Sequence, residues 1–253
     1  MKDDSSSALR ELINRGEFSF SKGLGRKTES LVFDRGTLRA LFEIMNRLSI
    51  RYIDYPVSSG KESVVFKAQA RGGPVAVKIY KRSTIKFNKL HEYIDGDHRF
   101  DSVSRSRSGI ILLWARKEFT NLLESRRAGV LVPEPIAINK NVLVMKYLGT
   151  VKRPAPQLRK VDDPETYYTR ILKNVRLLVE RAGLVHADLS EFNILIHRKK
   201  PYLIDMAQSV SITHPKALQF LRRDLNNISS FYARYGIVTN VEALLSELGR
   251  RME

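Results

Sequence analysis

The chain has no cysteine, which excludes disulfides and thiolate-bound metals at once. It is also poor in acid: 27 Asp and Glu stand against 44 Lys and Arg, a formal charge of +17. Ion pairing alone cannot absorb such an excess. It favours a polyanionic partner, because phosphates neutralised by basic side chains release condensed counterions, and RNA is the expected polyanion. No apolar run approaches the roughly 18 residues of a membrane span. The opening Met1-Lys2-Asp3-Asp4 and its three serines lack the apolar centre of a secretory signal. A cytoplasmic protein without a membrane partner is therefore expected. Internal repeats are missing too. What remains is 253 residues, 43% of them apolar, enough for one core or two small lobes.

Residues 1 to about 30 are polar and read as a loosely held arm. Apolar residues at 38, 41, 42, 45 and 48 predict a helix from Thr37. Pro56 and a Ser58-Ser59-Gly60 turn open a strand region, with a hairpin over 63–70 and 74–80 around Arg71-Gly72-Gly73. Residues 81–109 are basic, hydroxyl-rich and without period. A helix follows from Ile110 to about Arg127, with Leu112, Ala115, Phe119 and Leu122 as its apolar stripe. A strand covers 141–148, and 149–163, with Pro154, Pro156 and several basic residues, reads as a link between lobes. Asp163-Pro164 starts a helix to about Ala182. Two short strands (194–196 and 202–204) and a last long helix from near Pro215 complete an α+β chain. The expected domains are 1–50 (arm plus helix), 51–148 (a β-rich lobe) and 149–253 (a helical lobe).

Three segments carry chemistry. In His186-Ala187-Asp188-Leu189-Ser190-Glu191-Phe192-Asn193, an Asp-x-x-x-x-Asn between helix and strand matches a kinase catalytic loop. There the aspartate orients a substrate hydroxyl and the asparagine holds a metal ion. In Tyr202-Leu203-Ile204-Asp205, a carboxylate ends an apolar strand, and the intervening hairpin returns it beside Asn193. The two can share one Mg²⁺, which needs few protein ligands. In Val75-Ala76-Val77-Lys78, a lone lysine sits in an apolar strand, the pattern of the lysine that contacts ATP phosphates. Strand alternation puts Ala76, Lys78 and Tyr80 on one face. Helical phase selects Glu118, at the margin of the apolar stripe, as the partner of Lys78, and leaves Glu124 as a solvated control. Val64 or Val65, Ala76, Met145, Leu195 and Ile204 would wall an adenine slot. Asp224 shares an inward helix face with Phe220, Leu221 and Ile228, and the backbone amides of the 186–193 loop are its expected partners, a structural role.

The 186–193 loop, together with Leu203-Ile204-Asp205-Met206-Ala207-Gln208, resembles the RIO family of atypical serine protein kinases, in a length typical of archaeal members. Ser58-Ser59-Gly60-Lys61 is similar to the family's phosphate-binding loop, especially in its first subfamily, Rio-one. The resemblance runs from about residue 50 to the end. It implies a reduced, two-lobed protein-kinase-like fold lacking the activation loop and the peptide-docking subdomains. It further implies ATP with Mg²⁺, or Mn²⁺ in its place, as cofactors, and serine autokinase or ATPase activity in small ribosomal subunit maturation. The partner is then that subunit or its rRNA. Met145, Lys146 and Leu148 take the hinge, where adenine is bound through backbone groups. Ala187 stands where ordinary kinases carry an arginine, and no G-x-G-x-x-G occurs. Among Ser102, Ser104, Ser106 and Ser108, Ser106 is the expected autophosphorylation site. Two alternatives stand beside this reading: a small-molecule phosphotransferase of the aminoglycoside or choline kinase type, and a ribosome-assembly binding factor that uses ATP as a conformational switch.

Overall fold

A computed structural model of the chain describes residues 34–81, 92–100 and 106–250, so the N-terminal arm, most of the 82–105 stretch, and Ser102 and Ser104 lie outside them. The chain divides into two compact units. The first draws on the described parts of Met1–Lys86, Val103–Phe119 and Pro135–Tyr147; the second on those of Phe87–Ser102, Thr120–Glu134 and Leu148–Glu253.

In the first unit, α1 (Arg35–Leu48) starts at Asp34, whose carboxylate accepts from the Thr37 backbone N–H at 3.0 Å, and it ends at Ser49 in the left-handed region. Its buried arc is Leu38, Leu41, Ile44 and Met45. Phe42, expected in the stripe, is exposed because it stands about 100° round the helix from Leu41, just past the edge of that arc. The arc packs on a five-stranded antiparallel sheet of β1 (Ile50–Ser59), β2 (Ser63–Ala70), β3 (Gly73–Tyr80), β4 (Pro135–Asn139) and β5 (Val142–Lys146), in the order β1-β2-β3-β5-β4. The predicted hairpin is β2–β3. β1 and β4 were not expected as strands; Pro56 and Pro135 mask them, and both strands lie at the sheet edges, where a missing N–H is tolerated. Val64, Phe66, Val75, Val77 and Ile79 face α1, which leaves Ala76, Lys78 and Tyr80 on the opposite face. Buried Asn141 fastens the two layers by donating to the Thr37 hydroxyl and the Tyr80 carbonyl, both at 2.9 Å.

Helix α2 (Arg107–Arg127) begins three residues before its expected start, and the division into units falls within it, after Phe119. Its buried face runs through Ile111, Trp114, Ala115, Glu118, Asn121 and Leu122, while Leu112 is exposed. Glu118 therefore lies at the centre of the buried face and not at its margin. The expected phase was off because only apolar residues were counted into the stripe.

The second unit holds α3 (Tyr168–Glu180), α4 (Ala217–Ala233), α5 (Val241–Gly249) and four short strands: β6 (Leu184–Val185), β7 (Ile194–His197), β8 (Lys200–Leu203) and β9 (Val210–Ser211). Pro164–Tyr167 forms a 3-10 turn ahead of α3, and the Asp163 side chain caps no backbone N–H there. Residues 149–163 are not a free link. Ala155 donates to Leu148, the Ile196 N–H to Pro156, and Gln157 bridges to Leu195, all within this unit. The expected last helix is two, α4 and α5, separated at Gly236. β7 pairs with β8 inside a ladder of β6 with β9. This nesting sets the 186–193 loop, between β6 and β7, opposite the 204–209 loop, between β8 and β9. Among the described residues, no helix is long and apolar enough to cross a membrane.

Candidate active site

The first unit supplies a buried ion pair. Lys78 lies mid-strand on β3, in register with Val65 of β2 and Leu143 of β5. Its Nζ is 2.8 Å from each Glu118 carboxylate oxygen, and the side chains are 6% and 1% exposed. The Tyr80 hydroxyl donates to the same carboxylate. Charges taken this far from water persist only when paired and hydrogen-bonded. Val65, not Val64, shares the Lys78 face, since Val64 packs toward α1. Ala76 and Met145 are register partners on that face.

Ser58 and Ser59 end β1, exposed, and Gly60 and Lys61 form the turn into β2. The Gly60 N–H donates to Ser63 at 2.9 Å. A residue missed from the sequence, Lys81, pins this turn: its Nζ donates to the Gly60 carbonyl at 2.6 Å and its backbone N–H to Glu62 at 2.8 Å. Lys146 is exposed at the end of β5. Ser106 caps α2, its hydroxyl accepting from the Gly109 N–H at 3.1 Å. Glu124 is no solvated control, because it accepts from Arg99 at 2.7 Å.

The second unit holds the two carboxylate loops. Asp188 follows Ala187, which sits at φ 65°, in the left-handed region that non-glycine residues avoid. Such strain persists only where the surroundings over-determine it. Here they do. The N–H groups of Ala187 and Leu189 donate to the two oxygens of Asp224, both at 2.8 Å. The carbonyl of Ala187 accepts from Arg223, and that of Leu189 from Asn227 at 3.0 Å. Three α4 side chains thus satisfy every backbone polar group on either side of Asp188. Burial pushes the Asp224 carboxyl up to about 7, against the lowering effect of its two N–H donors.

The Asp188 side chain is held in turn. Asn193 Nδ2 donates to its Oδ2 at 3.0 Å and to its carbonyl at 2.8 Å, and Gln208 Nε2 reaches the same Oδ2 at 3.3 Å. Two amide donors thus converge on one oxygen of the Asp188 carboxylate. The Ile204 N–H donates to the Asn193 carbonyl at 2.9 Å, and Ile194 pairs with Leu203, so Asp205 follows directly on the backbone partner of Asn193. Asp205 itself has φ 63°. His186 is fully buried, its Nε2 3.1 Å from the Ile204 carbonyl, and burial holds it down at about 4, neutral. Leu148 is buried, and Leu195 and Ile204 are half-buried.

A small antiparallel sheet carrying a buried Lys–Glu pair, followed by nested hairpins bearing Asp-x-x-x-x-Asn and a strand-end aspartate, defines a reduced protein-kinase-like fold. β9 pairs back with β6 and α4 begins at Ala217, which leaves no room for an activation loop after Asp205. Comparison with known proteins narrows the class. The RIO domain family model matches residues 64–244. A RIO-type serine/threonine-protein kinase Rio1 of Thermoplasma acidophilum is 45% identical over 181 residues, covering 72% of this chain and 96% of the relative. One from Haloferax volcanii is 41% identical over 223 residues, covering 86% and 76%. Human serine/threonine-protein kinase RIO1 is 38% identical over 84% of this chain, which spans 39% of that longer protein. The crystal structure of a Rio2 kinase–ADP/Mg²⁺–phosphoaspartate complex from Chaetomium thermophilum shares the fold, with a TM-score of 0.65 at 24% identity, over 98% of this chain and 77% of that one. The chain belongs to the RIO family and is an atypical serine/threonine protein kinase. The small-molecule phosphotransferase reading is thereby set aside.

Proposed function

We propose that the chain is an ATP- and Mg²⁺-dependent serine autokinase and ATPase that acts in maturation of the small ribosomal subunit. The observation that carries the chemistry is the orientation of Asn193. Its Nδ2 is committed to Asp188, so its amide oxygen is the atom left to face a cation beside Asp205. Among the described residues, no three His, Asp or Glu side chains converge to hold a metal ion. A cation there would complete its shell with phosphate oxygens and water, as Mg²⁺ does, and Mn²⁺ has the same ligand preference. When bound, Mg²⁺ would neutralise charge on the phosphates being transferred. Asp188, fixed by two amides, would accept the proton of the attacking hydroxyl. Lys78, held by Glu118, would contact the phosphates, under the turn of Ser58, Ser59, Gly60 and Lys61. Val65, Ala76, Met145, Lys146, Leu148, Leu195 and Ile204 are assigned to adenine.

Charge supports the ribosomal half. Lys152, Arg153, Arg159 and Lys160 are all exposed, on a chain of net charge +17. Arg159 also stacks over Phe192, 4.7 Å from its ring centre, beside the catalytic loop, so the other three make the cleaner test. Replacing Lys152, Arg153 and Lys160 by glutamate should weaken binding to small ribosomal subunits and flatten its dependence on salt. ATP turnover without subunits should stay as in the parent. Salt-insensitive binding, or a triple variant that binds like the parent, removes the ribosomal half. Turnover that occurs only with subunits present, and never modifies serine, favours ATP as a switch for assembly.

A further inference from the structure

Asn121 is a buried polar residue outside the catalytic set. On α2, it is 0% exposed. Its Nδ2 donates to two carbonyls, Met206 at 2.8 Å and Ser209 at 2.9 Å. These bracket the turn that directly follows Asp205. Its Oδ1 accepts from Arg99 Nη1 at 3.0 Å. Each atom of the amide is therefore used.

Arg99 is equally committed. Nε and Nη2 fork onto the buried Asp97 carboxylate, both at 2.8 Å, and Nη1 also reaches Glu124 at 2.7 Å. Bidentate pairs of this kind fix orientation as well as energy. The segment that carries Asp97 and Arg99 is docked at a second place. Tyr93 stacks on Phe220 at 5.2 Å, and Glu92 pairs with Lys216 at 3.1 Å. Gly96, at φ 93°, lies so close to Pro215 that a Cβ there would stand 2.8 Å from the proline ring.

We propose that residues 92–100 act as a strut that sets the metal affinity of the Asp205 loop, with Arg99 and Asn121 as positioning residues. The inference rests on the assignment of Asp205 as a metal ligand. The chain of contacts is short. Asp97 aims Arg99, Arg99 aims the Asn121 amide, and that amide holds both ends of the 206–209 turn. With the turn held, the left-handed backbone at Asp205 has one arrangement. Loosening it leaves the ligand present but misdirected, and partners behind a ligand typically contribute about 10–100-fold in metal affinity.

The test is a Mg²⁺ titration of nucleotide binding and of ATP turnover, on the full chain, for three variants. Arg99→Lys keeps the charge and loses the planar fork. Asn121→Leu keeps the approximate volume and loses both donors. Gly96→Ala forces the segment off Pro215 and strains the backbone beside Asp97, while leaving every side chain of the relay in place. Each should raise the half-saturating Mg²⁺ by about tenfold or more. Turnover at saturating Mg²⁺, and nucleotide affinity in EDTA, should stay close to the parent. The Arg99 and Asn121 changes should not add, because they break one chain. If Asn121→Leu fails to fold, the other two decide. A fall in melting temperature or turnover with an unmoved Mg²⁺ midpoint overturns the strut. Asp205→Ala is run alongside: if it leaves Mg²⁺-dependent nucleotide binding intact, the ligand assignment itself has failed, and if it abolishes that binding while Arg99→Lys is inert, only the strut has.

Discussion

The side-chain amide of Asn193 grips Asp188 twice, at the backbone oxygen and at Oδ2. This fixes the carboxylate in one rotamer and keeps an amide donor against its negative charge. Asn193→Asp would set a second carboxylate there, and like charges at this range raise one of the two pKa values. The acid limb of the turnover–pH profile should move to higher pH. Asp188→Ala should cost about 10²–10⁴-fold in turnover, the range of a positioned acid–base group, with nucleotide binding retained. Unchanged turnover in Asp188→Ala would sink its assignment.

Removing one member of a buried ion pair strands the other. Glu118→Gln should therefore lower both stability, by about 3–5 kcal/mol, and turnover, through a misdirected Lys78. Glu124 is one-third exposed and one of several partners of Arg99, so Glu124→Gln should cost no more than about 1 kcal/mol. Urea melts and steady-state assays give the ranking. A larger loss at Glu124 would mean that Lys78 does not depend on Glu118.

Asp224 makes stability depend on pH. Its carboxyl is raised from 3.8 to about 7 by burial, so between these values the folded chain binds the proton and the unfolded chain does not. Its contribution is complete below about pH 4 and is lost as pH rises toward 7. His186, lowered from 6.5 to about 4, works in the opposite direction and largely hides the trend in the parent. Asp224→Asn leaves one loop N–H without its acceptor and is destabilised by about 1–3 kcal/mol. The gap between parent and variant should be widest near pH 4.5 and narrow toward pH 7.5. Denaturant midpoints at the two pH values measure it, and a gap that widens toward neutral pH contradicts the assignment.

Ser106 is both a helix cap and the proposed autophosphorylation site. Ser106→Ala should cost about 0.5–2 kcal/mol of stability. A phosphoserine at this helix N-terminus meets the favourable end of the macrodipole, so modification should leave the melting temperature unchanged or raise it. Mass spectrometry after incubation with Mg-ATP locates the phosphate. ATP consumption with Ser106 unmodified removes this site.

The parts legible in the sequence were those with a local signature. Alternation exposed β2 and β3 and put Lys78 on one face with Ala76 and Tyr80; spacing exposed Asp188, Asn193 and Asp205; an inward helical phase exposed Asp224. Polar burial left no such trace. Glu118 was found at the wrong place on its helix because Asn121 and Ser125, equally buried, count as polar in any apolar stripe. Asn121 and Arg99 were missed for the same reason, since a hydrogen-bond chain joining residues 97, 99, 121 and 206 has no period. Lys81 looked like the start of a loop, and only the fold brings it back to Gly60. β1 and β4 were hidden by their prolines.

Those two prolines have a consequence for how copies of the chain meet. β1 and β4 are the two edges of the five-stranded sheet, where unpaired N–H and C=O groups would template a further strand. β1 carries Pro56 and register shifts at Ile50/Tyr52, Ile53/Pro56 and Pro56/Ser58. β4 is five residues long, opens on Pro135 and shifts register at Pro135/Ala137. Each edge is thus broken in its donors and bent out of line, and neither offers a neighbouring molecule a straight ladder on which aggregation could begin.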